Sequence, residues 1–123
     1  MLFMAVVDDN CEFRAKFVSL LNGIRSEDDI VHDYSSGDSF LEAFKLNHFD
    51  LVFLDAQMPG IGGLDVMKEL RDISQSTLIV VVTNHIDYAP DFFPFDVFRF
   101  ILKPPNKPVL RRFSSDVRTE SEM

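Results

Sequence analysis

The chain has a single cysteine, Cys11, so no internal disulfide can form, and its three histidines, His32, His48 and His85, sit at spacings that match no zinc pattern. Neither a structural zinc nor an oxidising compartment is expected. Long apolar runs are missing too: stretches such as Leu78–Val82 fall far short of the roughly 20 residues that cross a bilayer. The opening MLFMAVVDDN has neither the basic flank nor the cleavage site of a signal peptide. The expectation is a soluble, cytoplasmic protein with no membrane contact. Positive charge is scarce over most of the chain. Residues 1–98 hold 6 basic and 17 acidic side chains, a net −11, whereas residues 99–123 hold 6 basic and 3 acidic, a net +3. The acidic body should repel nucleic acid, and the basic end reads as a solvated helix face rather than an arm for DNA.

What remains is one domain: 123 residues, 46% of them hydrophobic, can bury a single core and leave no room for a second. Phe3–Val7 is a short apolar run that does not alternate, as in a strand covered on both faces. A helix capped by Asn10 should follow, with Phe13, Phe17, Leu20, Leu21 and Ile24 at helical spacing and Gly23 near its end. Ile30–Tyr34 carries His32 and Asp33 and reads as a strand at or near a sheet edge. Residues Ser36–Asn47 read as a second helix with Phe40, Leu41 and Phe44 inward; Leu51–Leu54 reads as the third strand. A helix from about Leu64 should turn Leu64, Met67, Leu70 and Ile73 to the core. Leu78–Val82 is β-branched and unbroken, the clearest buried strand.

Five of the thirteen phenylalanines crowd into Phe92–Phe100, and Pro90 and Pro94 stand where a fourth helix belongs, which predicts a short or distorted one. Phe98–Leu102 is the fifth strand, Lys103-Pro104-Pro105 a forced turn, and a last helix should run from Asn106 with Pro108 in its first turn and Leu110, Phe113 and Val117 inward. Residues 119–123 should fray. Strands alternating with helices imply parallel pairing through right-handed crossovers, hence an α/β sheet covered on both faces. In such sheets ligands bind beyond the carboxyl ends of the strands.

Those ends carry Asp8 and Asp9 after the first strand, Asp55 after the third, Thr83 and Asn84 after the fourth and Lys103 after the fifth. Carboxylates forced together repel, and each tends to keep its proton unless a cation intervenes. An open site of few carboxylates and water suits Mg²⁺ better than Ca²⁺. A lysine and a hydroxyl beside such an ion are suited to the equatorial oxygens of a phosphoryl group in transfer. Asp55, at the mouth of a rigid strand, then stands as the nucleophile. The glycines and Pro59 of PGIGG keep the following backbone clear of it, and the carbonyl of Gln57 is a further candidate metal ligand.

The motifs VVDDN, LDAQMPGIGG, VVVTN and FILKPP, in that order and spacing, resemble the receiver domain of two-component response regulators over essentially the whole chain. The resemblance implies a flavodoxin-like (CheY-like) doubly wound five-stranded parallel sheet of order 2-1-3-4-5 with helices on both faces. It also implies a phosphoacceptor signalling domain, rather than an enzyme beyond its own phosphorylation and dephosphorylation. By motif, Asp9 would bind Mg²⁺ directly and Asp8 largely through water, and Asp55 would take the phosphoryl group from a sensor histidine kinase. Thr83 would turn toward that group, Phe100 would change rotamer with it, and Lys103, before a cis Pro104, would pair with the phosphate. Gln57 and His85 are candidates for setting how long the phosphoryl group survives. The receiver is expected to span residues 1–118.

The stretch DYAPDFFPFDVFRFILKP is similar to receivers that precede a LytTR-type DNA-binding domain, with Pro90 and Pro94 as departures. This implies an output domain or downstream partner and a role in transcription regulation; a homodimer is one candidate form of the phosphorylated state. Taken singly, the bland readings differ: an aspartate pair is a helix cap, Lys before Pro a turn, Phe100 plain core, Cys11 a quiet buried thiol. The strongest alternative is a degenerate receiver that binds partners without phosphorylation. A haloacid-dehalogenase-type phosphatase needs an acid two residues past its nucleophile, where Gln57 stands, and a flavodoxin-like FMN carrier needs a phosphate loop where DDNCEF is acidic.

Overall fold

The computed structural model describes residues 1–58, 60–84, 89–105, 108 and 110–112. Strand β1 (Phe3–Val7), helix α1 (Cys11–Asn22), β2 (Ile30–Tyr34), α2 (Gly37–Leu46), β3 (Leu51–Asp55), α3 (Gly63–Ile73), β4 (Leu78–Thr83), α4 (Ala89–Phe92) and β5 (Arg99–Leu102) follow one another, with a 3-10 turn at Phe93–Phe95. The five strands form one parallel sheet in the order β2-β1-β3-β4-β5. No helix among the described residues is long and apolar enough to cross a membrane.

Alternation along the strands divides the core into two layers. Ala5, Val7, Val52, Leu54, Ile79 and Val81 face α2 and α3, while Met4, Val6, Leu51, Phe53, Val80 and Val82 face α1 and Leu110. Side chains such as Phe40, Phe49 and Phe53 are at most 1% exposed. Burials of this size contribute about 1.5–3 kcal/mol each. Strand β2 lies at the sheet edge and is mostly exposed, as His32 and Asp33 indicate.

The Asn10 cap was expected; Ser36, read as the first residue of the second helix, is instead its cap. The Asn10 side chain accepts from the Phe13 amide and the Ser36 side chain from the Ser39 amide. Helix α3 corrects the expected stripe. Its buried face is Gly63, Val66, Met67 and Leu70, an i, i+3, i+4, i+7 set; Leu64 lies at its flank and Ile73, the last helical residue, is exposed. Cys11 is a second correction: the thiol is free and exposed, because α1 turns Phe17 and Leu21 to the sheet and its first residue away.

The two prolines do cut the fourth helix short. After α4 and the 3-10 turn, Asp96 adopts φ +58°. The Arg71 guanidinium pins this reversal to α3 by donating to the carbonyls of Phe95 (2.8 Å), Asp96 (2.9 Å) and Thr77 (2.8 Å). The Phe98 amide already bonds the Ile79 carbonyl, and β5 proper begins one residue later at Arg99. Of the expected last helix, Pro108, Leu110, Arg111 and Arg112 are helical and Leu110 is fully buried; Phe113, Val117 and residues 119–123 lie outside the described residues.

Candidate functional site

The carboxyl ends of β1, β3, β4 and β5 share one edge of the sheet, because all four strands run the same way. Asp8 directly follows β1 and is buried, Asp9 beside it is exposed, and buried Asp55 is the last residue of β3. One carboxylate oxygen from each of the three lies within 4.8 Å of the others. Lys103 enters from the turn after β5. Its Nζ donates to Asp8 Oδ2 at 2.8 Å and stands 3.6 Å from Asp55 Oδ1. Its own amide donates to the Thr83 carbonyl at 2.8 Å, and the Lys103–Pro104 bond is cis, as expected.

Glycine shapes the approach. A Cβ on Gly63 would stand 2.4 Å from the Asp55 carbonyl oxygen and 2.9 Å from that of Ala56, so only glycine lets α3 begin directly against the end of β3. Gly60, at φ +78°, takes the left-handed turn between them. Pro59 lies outside the described residues.

Electrostatically the cluster is overcharged: three carboxylates face one ammonium. Burial raises the Asp55 carboxyl from its ordinary 3.8 to about 6, and the Asp8 charge adds to the rise. Lys103 and the Gln57 amide, which donates to Asp55 Oδ1 at 3.2 Å, pull it back, and Asp9 adds a smaller rise. The donors are all oxygen, and their spacing lets one small divalent ion touch some carboxylates directly and others through water. The residues therefore fit a hard cation such as Mg²⁺.

The remaining candidates sit nearby in different ways. Thr83 is buried at the end of β4, in register with Leu102, the residue before Lys103. Phe100 pairs with Val81 in register, is half-buried, and meets the Phe92 ring edge-on at 6.4 Å. Gln57 contributes its amide, while its side chain is exposed. His85 lies outside the described residues.

Two neighbours of the site escaped the sequence reading. Arg14 donates to the Asp8 carbonyl at 2.7 Å and to Asp33 at 2.8 Å, tying the loop after β1 to β2. The ring of Phe13 lies under Lys103, with Nζ 4.2 Å from its centroid. Both follow Asp9 by four or five residues, within the first turns of α1, and that proximity was the available signal.

The family model for the response regulator receiver domain matches residues 4–113. The transcriptional regulatory protein LytR of Staphylococcus aureus (strain N315) is 27% identical over 99 residues, 80% of this chain and 40% of that protein. The sensory transduction protein LytR of Staphylococcus haemolyticus is 30% identical over 99 residues, 80% of this chain and 38% of that protein. The chain thus spans about two fifths of the length of these relatives. The response regulator TrrA of Thermotoga maritima, solved in complex with Mg²⁺-BeF, superposes with a TM-score of 0.83 at 27% identity, covering 95% of this chain and 99% of that one. The response regulatory domain of mrkE from Klebsiella pneumoniae has the same fold, with a TM-score of 0.88 at 20% identity over 99% of this chain and 100% of that one. Fold, strand-end chemistry and family match agree: the chain belongs to the receiver domain family of two-component response regulators.

Proposed function

We propose that this receiver accepts a phosphoryl group on Asp55 from the phosphohistidine of a sensor kinase, in a Mg²⁺-dependent reaction. The observation that carries the reading is the convergence, from three separate strand ends, of Asp8, Asp9 and Asp55, with oxygens within 4.8 Å of one another, and of Lys103, 2.8 Å from Asp8 and 3.6 Å from Asp55. An Asp55 oxygen attacks phosphorus, the P–N bond breaks, and the imidazole leaves with the electron pair. A divalent ion held by Asp8, Asp9, Asp55 and the Gln57 carbonyl would offset carboxylate repulsion and draw charge from the phosphoryl oxygens. The Mg²⁺-BeF complex of TrrA supports the choice of ion. Lys103, already beside Asp55, pairs with the added phosphate charge of about −1.5 to −2.

Output follows from the same edge. Thr83 turns toward the phosphoryl group, Phe100 changes rotamer, and the surface around β4 and β5 is read by a partner. The LytR relatives support an output domain of the LytTR DNA-binding type and a role in transcription regulation; a homodimer is one candidate form of the phosphorylated state. The receiver occupies residues 1–118, and Gln57 and His85 set the lifetime of the phosphorylated state, which decay rates of the two alanine variants would measure. Structures with and without beryllofluoride test the switch: an unmoved Thr83 and Phe100 would refute it.

The decisive experiment is intact mass after incubation with acetyl phosphate, with and without Mg²⁺, beside Asp55→Asn. The expected result is a gain of one phosphoryl group only with Mg²⁺ and only in the unmodified protein. A gain that survives Asp55→Asn would remove Asp55 as acceptor. No gain at all would favour the phosphorylation-independent binding module.

A further inference from the structure

Among the described residues the Lys103 ammonium meets Asp8 Oδ2 at 2.8 Å, Asp55 Oδ1 at 3.6 Å and the face of Phe13, 4.2 Å from the ring centroid. Its side chain is only 11% exposed, so these groups replace most of the water that an ammonium ordinarily holds. The two carboxylates are unreliable holders. On the phosphoacceptor reading, on which this inference rests, Asp8 is drawn toward a divalent cation and Asp55 becomes an acyl phosphate. The ring is the one of the three that neither event changes. It is also fixed in place: Phe13 lies 5.7 Å from Phe17, and Phe17 meets Phe53 of β3 edge-on at 4.9 Å. A ladder of three rings thus runs from the buried middle of the sheet to the ammonium. Phe13 also lines a small hollow with Asp8 and Asp55, so the ring stands at the site itself rather than behind it.

We propose that Phe13 is a positioning residue, whose ring face holds the Lys103 ammonium at the mouth of the site while Asp8 and Asp55 change partners. The attraction is electrostatic, between the cation and the negative face of the ring, and is strongest when water is excluded. A residue serving only as packing would be replaceable by any side chain of similar volume, whereas this role depends on ring electrons.

The test is a series at position 13 in the whole chain: phenylalanine, 4-fluoro-, 3,5-difluoro- and 3,4,5-trifluorophenylalanine, with Phe13→Tyr and Phe13→Leu beside them. Fluorine drains the ring face with little change of shape. The phosphorylation rate with acetyl phosphate should fall in steps, about tenfold across the series, with Phe13→Tyr close to the parent and Phe13→Leu at or below the trifluoro variant. A flat rate across the series would overturn the proposal. The second readout needs neither metal nor phosphodonor. The ε-methylene protons of ¹³C-labelled Lys103 should be shifted upfield by the ring in the unmodified protein and return to ordinary values in Phe13→Leu. Ordinary values in the unmodified protein would overturn the proposal as well. Should the unmodified protein take up no phosphoryl group, the phosphoacceptor reading fails, and this shift still decides whether the ring holds Lys103.

Discussion

The sheet has buried carboxylates at both ends, and they differ in what faces them. At the amino-terminal end, Asp29 accepts from the Leu2 amide at 2.8 Å with one oxygen and from the Ser26 amide at 2.9 Å with the other. Asp50 accepts from the Phe3 amide at 2.8 Å. At the carboxyl end, Asp8 and Asp55 each receive one backbone amide, from Asn10 and Gln57, and otherwise face each other, Asp9 and Lys103. Fixed amide dipoles satisfy a carboxylate and leave it nothing further to do, whereas a second carboxylate leaves charge that a cation or phosphoryl chemistry can use. Burial of an aspartate is thus no sign of function; the identity of its partners is.

The largest effect that sharpens this contrast is expected at Asp29. Asp29→Ala strands the buried Leu2 amide and frees the part-buried Ser26 amide, the lost bonds costing on the order of 1–3 kcal/mol each, so a loss of about 3 kcal/mol in urea unfolding is expected. It also loosens the tie between the start of β1 and the start of β2, where Arg25 additionally bonds the Asp29 carbonyl at 2.9 Å. Phosphoryl uptake at Asp55 by the folded variant should be unchanged. A stable variant that no longer takes up phosphate would break the division between the two ends.

At the other end, removal of charge should stabilise. The folded-state pKa of Asp55 is raised, from 3.8 to about 6, so the folded protein holds this proton more tightly than the unfolded chain. The stability attached to Asp55 is therefore present below about pH 4 and is lost as pH rises toward 6. Asp55→Asn removes the penalty while still offering an oxygen to the Gln57 amide. In metal-free buffer at pH 7.5 it should raise Tm by about 5 °C, with the gain shrinking toward pH 4. A gain independent of pH, or none, would show that the buried Asp55 charge carries no penalty at this edge.

The acidic edge was legible because two local signals suffice to find it. Apolar runs that end in Asp8, Asp55, Thr83 and Lys103 mark the strands, and the right-handed crossover rule sends all their carboxyl ends to one side. The short α4 was legible from Pro90 and Pro94 for a similar local reason. Phe13 was not, because a phenylalanine at helical spacing looks the same whether it meets an aliphatic core or an ammonium. What decides is Lys103, ninety residues later, arriving over α1 from the far side of the sheet. Asp29 and Asp50 were illegible for the same reason, since the Leu2 and Phe3 amides that they bond lie at the start of the chain, far from either aspartate in sequence. Val66 displaced Ile73 in the α3 stripe because helix start and phase were set by the close approach of Gly63 to Asp55, a contact that no periodicity reveals.

The smallest expected effect tests whether charge matters at all at the amino-terminal end. Asp50 has two partners there: the Phe3 amide, and His48 Nε2 at 3.4 Å with the histidine 60% exposed. An exposed pair of this kind contributes about 0–1 kcal/mol, while an amide bond to a half-buried carboxylate contributes on the order of 1–2 kcal/mol. His48→Ala should accordingly change stability by no more than about 0.5 kcal/mol at pH 6, and Asp50→Ala by about 1–2 kcal/mol. The double variant gives the coupling directly. If it stays under about 0.5 kcal/mol, Asp50 is held by the backbone of β1 and the histidine is incidental. A coupling above about 1 kcal/mol would mean that this end too relies on paired side-chain charge, and the distinction between structural and reactive carboxylates would have to rest on the metal-binding edge alone.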